Sequence, residues 1–182
     1  GLSPVLYVTI GSGIGGGLVV DGSIYSGSGR GAVEIGHLRT WRNGAGNDQE
    51  PPTVESIASG WGLERRGRDV FGIEPDEPFS AEDVVRRARE GDSQAGDLLK
   101  VSTDCLAEAL AHAVTLLAPR RVILGGGVSM IGEALWFEPI RREVDRLVFP
   151  PYRGRFDVVP AALGEAVVVR GALALANEAA DN

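Results

Sequence analysis

Twice in this chain a short run of β-branched and aliphatic residues breaks off into consecutive glycines. Val5 to Ile10 (VLYVTI) leads into GSGIGGG at 11–17, and Arg121 to Leu124 (RVIL) leads into Gly125, Gly126 and Gly127. Short apolar runs bounded by glycine read as buried strands. Three adjacent glycines remove every side chain between the backbone and an approaching ligand, and leave amide groups able to face an anion. Gly15, Gly16 and Gly17 thus read as one glycine turn and Gly125 to Gly127 as a second. Either alone is a weak signal; two of them, each directly after a strand, favour a ligand.

The first cluster is followed by Leu18 to Val20, then Asp21-Gly22, then Ser23 to Tyr25. Two apolar runs around Asp-Gly are a hairpin signal, so antiparallel strands frame the first glycines. A dinucleotide fingerprint would need a helix there instead.

From Ser26 to Pro52 the composition turns to Gly, Asn, Asp, Gln and Pro, interrupted by Glu34, Ile35, Gly36, His37 and Leu38. A loop this long inside a compact domain is usually functional or disordered. Thr53 then opens a helical pattern running through Val54, Ile57, Ala58, Trp61 and Leu63. Ser80 with Asp83 is a variant capping box before a charged helix. Asp92 or Ser93 opens the longest helix, which reaches about Leu117, with Pro119 to stop it. After the strand at Arg121 to Leu124, a helix is expected to start over Val128 to Leu135 and another to run from Phe137 to Leu147. A strand around Phe156 to Pro160 and a closing helix from Gly164 to Ala176 complete an α/β chain.

The chain has 182 residues and 43% hydrophobic content, enough for one large domain or one lobe of a two-lobed protein. No stretch approaches the roughly 18 apolar residues of a membrane helix. The opening Gly1, Leu2, Ser3, Pro4 lacks a signal-peptide pattern and enters an apolar run so early that the chain looks cut from something longer. Asp and Glu number 25 against 18 Lys and Arg, so a net charge of -7 makes nucleic acid an unsuitable partner. Cys105 is the one cysteine, so neither a disulfide framework nor a cysteine-based zinc site can form within the chain. The expected compartment is the cytoplasm.

The run VLYVTIGSGIGGGLVVDGSIYSGSGRGAVEIGH resembles the signature of the ROK family (repressors, open reading frames and kinases): a strand, a glycine turn, a hairpin, and a Gly-Glu-Ile-Gly-His element. VILGGGVS resembles that family's adenosine-contacting turn, and ALGEAVVVRGALALA its last helix. The resemblance implies a ribonuclease-H-like, actin-like ATPase lobe with a mixed sheet and flanking helices, and places residues 1–182 as the C-terminal lobe. It implies that Gly11, Ser12 and Gly13 contact ATP, with Ser12 in place of a threonine but still carrying a hydroxyl. It implies that Gly125, Gly126 and Gly127 contact adenosine, and that Glu34, His37 and Glu55 contact sugar. The residue types suit that role, since a carboxylate can accept two hydroxyls and a neutral imidazole can donate to one oxygen and accept from another. Without the resemblance, Glu34 and His37 would read as a solvated pair, and Glu55 as a residue favoured in a first helical turn by the helix dipole.

Two departures from the family pattern matter. The kinases of the family carry a zinc-binding cysteine cluster where this chain has Trp41, Arg42, Asn43, Gly44, Ala45, Gly46, Asn47 and Asp48, so no structural zinc is expected. The family's catalytic aspartate and first phosphate loop would lie before Val5, so this segment by itself is expected not to phosphorylate sugar. The resemblance implies, for the intact protein, an ATP- and magnesium-dependent hexose kinase, or alternatively the sugar-sensing domain of a repressor. It also implies a homodimer.

Overall fold

The computed structural model describes residues 1–29, 31–40, 50–164 and 167–180. Five strands form one sheet: β1 (Val5–Ile10), β2 (Ile14–Val20), β3 (Ser23–Ile24), β4 (Arg121–Gly125) and β5 (Asp157–Pro160), in the spatial order β3-β2-β1-β4-β5. The β3-β2-β1 half is antiparallel, whereas β4 and β5 run parallel to β1. This is the mixed sheet expected from a hairpin followed by α/β crossovers.

Side-chain alternation on β1 fixes which face is the core. Leu6, Val8 and Ile10 are fully buried, while Val5, Tyr7 and Thr9 on the opposite face are half-buried. The buried face joins one apolar cluster with the helices α1 (Val54–Ala58), α2 (Gly60–Phe71), α3 (Ala81–Arg89), α4 (Ser93–Leu117) and α5 (Glu138–Leu147). A further helix, α6 (Val167–Ala180), closes the chain. The central element is α4, packed by α1, α2, α3 and α5. Asp92 caps it, accepting from the amides of Gln94 (2.9 Å) and Ala95 (3.2 Å). It ends at Ala118, whose left-handed backbone (φ 44°) precedes Pro119. Among the described residues no helix is long and apolar enough to cross a membrane.

Three details differ from the sequence reading. Gly15, Gly16 and Gly17 are not a turn; they lie within β2 and pair with Thr9, Val8 and Tyr7. The turn is Gly11-Ser12-Gly13 alone. The pattern from Thr53 to Leu63 is two helices, because Ser59 adopts extended backbone (ψ 167°) and caps α2 through the Gly62 amide, 3.0 Å away. Its apolar positions continue across the break because α1 and α2 both pack on α4. Finally, Val128 to Leu135 does not start an α-helix. Gly127–Ile131 forms a 3-10 turn and Glu133–Phe137 a π turn leading into α5, divided by Gly132 at φ 98°.

Candidate functional site

The two glycine turns stand at the carboxyl ends of β1 and β4, which are adjacent and parallel. In open α/β sheets ligands bind at that end. In the first turn the Gly11 amide donates to the Gly13 carbonyl at 2.9 Å. The amino end of α2 docks on it: the Gly60 amide donates to Gly11 O (2.7 Å) and the Trp61 amide to Ser12 O (3.4 Å). The turn is held from behind by Glu55, whose Oε2 accepts from the Ile14 amide at 2.7 Å. A Cβ on Gly13 would stand 2.5 Å from that oxygen, so the turn and the carboxylate exclude a side chain here. With the carbonyls of Gly11 and Ser12 occupied by α2, the exposed Ser12 hydroxyl makes no hydrogen bond among the described residues.

In the second turn Gly126 has φ 86°, and a Cβ there would lie 2.6 Å from the Ile10 carbonyl carbon. Only glycine fits both the angle and the space. Ser129 locks the turn, donating to Gly126 O from its amide (3.1 Å) and its hydroxyl (2.6 Å). Gly127, by contrast, faces open space.

Between the turns lies a cleft of about 440 Å³. Gly11, Ser12 and Gly60 form one wall and Gly127 and Met130 another. The third wall, not foreseen from the sequence, is α3, which presents Val85, Arg86 and Arg89. The Arg89 guanidinium donates to Ile131 O at 3.0 Å, linking α3 to the segment after the second glycine turn. The start of α3 is fixed by Asp83, which accepts from the Ser80 amide at 3.0 Å. Arg86, and then that amide, hold the Asp83 carboxyl below its ordinary range. The available signal was the Ser80/Asp83 box followed by arginines three residues apart. It marks a helix but not the direction that the helix faces.

The cleft divides chemically. Ser12 and the glycine backbone are polar, Leu63, Val85, Val128 and Ile131 are apolar, and Glu82, Arg86 and Arg89 on α3 are charged. Its volume lies in the range of pockets that enclose small organic ligands.

Glu34 precedes and His37 ends a 3-10 turn (Ile35–His37) laid against β2. Glycine on each side permits the close approach. A Cβ on Gly16 would overlap the Val33 carbonyl, and one on Gly36 would overlap the Ile14 carbonyl. Val33, immediately before Glu34, has φ 65°. That conformation costs a β-branched residue roughly 1–2 kcal/mol, held here by the packing of its neighbours. The side chains of Glu34 and His37 are 67% and 71% exposed, with Oε2 and Nδ1 3.9 Å apart. The Val54 amide donates to Leu38 O at 2.9 Å, so the start of α1 is bonded to the end of this turn. Glu55 makes no hydrogen bond or ion pair with Glu34 or His37; its carboxylate is turned to the first glycine turn. The stretch Trp41 to Asp48, where relatives of the resembled family carry zinc, lies outside the described residues. Among the described residues no three His, Cys, Asp or Glu side chains are grouped so that they could hold a metal ion.

A model of the ROK family matches residues 1–179. The chain is 31% identical to the glucokinase of Thermotoga maritima, over 96% of this chain and 58% of that protein. It is 34% identical to the kanosamine kinase of Amycolatopsis mediterranei, over 97% and 56%. Among solved structures it is similar to the ROK hexokinase from Thermus thermophilus (TM-score 0.77, 28% identity, 91% of this chain and 54% of that one). It is also similar to the ROK family glucokinase from Streptomyces griseus in complex with glucose and AMPPNP (TM-score 0.72, 29% identity, 91% and 58%). The fold is that of these actin-like ATPase relatives, and the chain spans somewhat more than half their length.

Proposed function

As the chain belongs to the ROK family, we propose that it is the C-terminal, nucleotide- and sugar-contacting lobe of an ATP-dependent hexose kinase. The observation that supports this most directly is the convergence of Gly11, Ser12 and Gly127 on one cleft from the ends of two neighbouring parallel strands. In this reading the Ser12 hydroxyl and the Gly11–Gly13 backbone receive the phosphates of ATP, while Gly125, Gly126 and Gly127 lie along the adenosine. Glu34, His37 and Glu55 share the sugar hydroxyls.

Glu55 then has two tasks, since the oxygen bonded to the Ile14 amide fixes the phosphate turn and leaves the other oxygen for sugar. This ties the distance between sugar and phosphate to a single side chain, and phosphoryl transfer depends on such positioning. Magnesium would be carried by the nucleotide phosphates, and the base that accepts the hydroxyl proton would come from the protein's other lobe. The reading includes a cytoplasmic homodimer.

The test is a coupled ADP assay on the full-length protein with ATP, magnesium and a panel of hexoses. Turnover with at least one hexose is expected. Glu34→Gln should weaken sugar affinity about tenfold to hundredfold while leaving nucleotide affinity nearly unchanged, because the remaining polar groups lose one partner. Sugar binding by calorimetry without ADP production would favour the sugar-sensing alternative. Equal sugar affinity in the variant would remove Glu34 from the site.

A further inference from the structure

At the end of the sheet opposite both glycine turns, the amino ends of β4 and β5 border a second cavity of about 380 Å³. The end of α4 contributes Val114 and Pro119, and the approach to β5 contributes Tyr152 and Phe156. Its charged lining residues are Arg120 and Arg155, and no carboxylate is among the lining groups.

Neighbouring arginines are engaged. Arg121 holds Asp157 through bonds of 2.8 and 2.6 Å, and that contact keeps the Asp157 carboxyl below its ordinary range. Arg153 donates to Asp145 O (2.9 Å) and Arg146 O (3.3 Å). The Arg120 and Arg155 side chains differ: among the described residues neither makes a hydrogen bond or an ion pair. Yet both have anchored backbones. The Arg120 amide donates to Pro4 O at 2.8 Å, and the Arg155 amide to Tyr152 O at 3.0 Å across a turn with Gly154 at φ 69°.

Two exposed guanidinium groups that have no anionic partner among the described residues stand over apolar walls, so their donors are free to take an anion. The carboxyl end of α4 offsets only roughly half an elementary charge. A carboxylate would neutralise one arginine, whereas a phosphate monoester carries about two negative charges and offers three acceptor oxygens. We propose that this cavity binds a small phosphate monoester, with its phosphate between Arg120 and Arg155 and its organic part against Val114, Pro119 and Phe156. The site is separate from the cleft at the glycine turns, and the proposal does not depend on the reaction assigned to that cleft.

Calorimetry on the full-length protein with glucose 6-phosphate, inorganic phosphate and acetate tests it, alongside Arg120→Gln/Arg155→Gln and, as a control for the cleft, Ser12→Ala. Glucose 6-phosphate should bind more tightly than inorganic phosphate, and acetate should not bind measurably. The double variant should lose about a hundredfold in affinity and each single variant about tenfold, and binding should weaken as salt rises. Ser12→Ala should leave this binding unchanged. Both arginines are exposed and unpaired, so melting temperature should not move; if the glutamine pair fails to fold, Arg120→Lys/Arg155→Lys keeps the charge and should bind within a few-fold. Undiminished affinity in the glutamine variant, a loss that tracks Ser12→Ala, or equal binding of acetate would overturn the proposal. Equal affinity for phosphate and glucose 6-phosphate would remove the role of the apolar wall.

Discussion

Gly15, Gly16 and Gly17 and Gly125, Gly126 and Gly127 are the same three letters after similar apolar strands, yet they do different things. The first set lies inside β2, fully paired with β1, and its middle member clears space for the Val33 carbonyl. The second set leaves the sheet, and its middle member turns with φ 86° over the Ile10 backbone. One run of glycines lets a second layer of backbone lie on a strand; the other lets a strand end abruptly beside a cleft. A glycine triplet therefore reports close approach without saying whether backbone or ligand does the approaching.

Substitution by alanine separates these uses. Gly126→Ala should be the most damaging, by about 3 kcal/mol or more, because left-handed strain adds to overlap with fixed strand backbone. Urea denaturation measures it, and a loss under 1 kcal/mol would mean that β1 and the turn can separate. Gly16→Ala should cost about 1–3 kcal/mol by the same measurement, less than Gly126→Ala because the 33–36 segment can shift where β1 cannot. Gly127→Ala meets no neighbour and keeps ordinary backbone, so stability should hold within about 0.5 kcal/mol. Its methyl would project beside the cleft, however, and nucleotide affinity should fall several-fold with sugar affinity unchanged. Gly17→Ala should give a small effect of the opposite sign. It too meets nothing within 4 Å, and limiting the unfolded chain should stabilise the protein by about 0.4–1 kcal/mol.

The sequence carried the elements whose signals are local. The alternation in VLYVTI, the Asp21-Gly22 turn, the Asp92 cap and the Pro119 stop each describe a few neighbouring residues, and each corresponds to an observed strand end or helix end. It misled where one period spanned two objects. The apolar spacing from Val54 to Leu63 serves two helices packed on α4, and the break rests on the backbone of Ser59, which any serine could have left helical. At the site, the residues of the two turns were visible as glycine, but the contributions of α3 and Gly60 depend on contacts across long stretches of sequence. Glu55 was legible as a carboxylate in a first helical turn, though its bond to the Ile14 amide, 41 positions away, was not.

The loop after His37 is closed at its neck. The Thr40 amide donates to Pro52 O at 3.1 Å, the Arg39 guanidinium to Pro51 O at 2.6 Å, and Arg39 and Thr53 form an isolated antiparallel bridge. Once two ends are held together in this way, the entropy of closing the chain between them grows only with the logarithm of its length. Doubling the intervening segment costs roughly 0.6 kcal/mol. The positions of His37 and Glu55, one before and one after the neck, are thus set by bonds made at the neck itself.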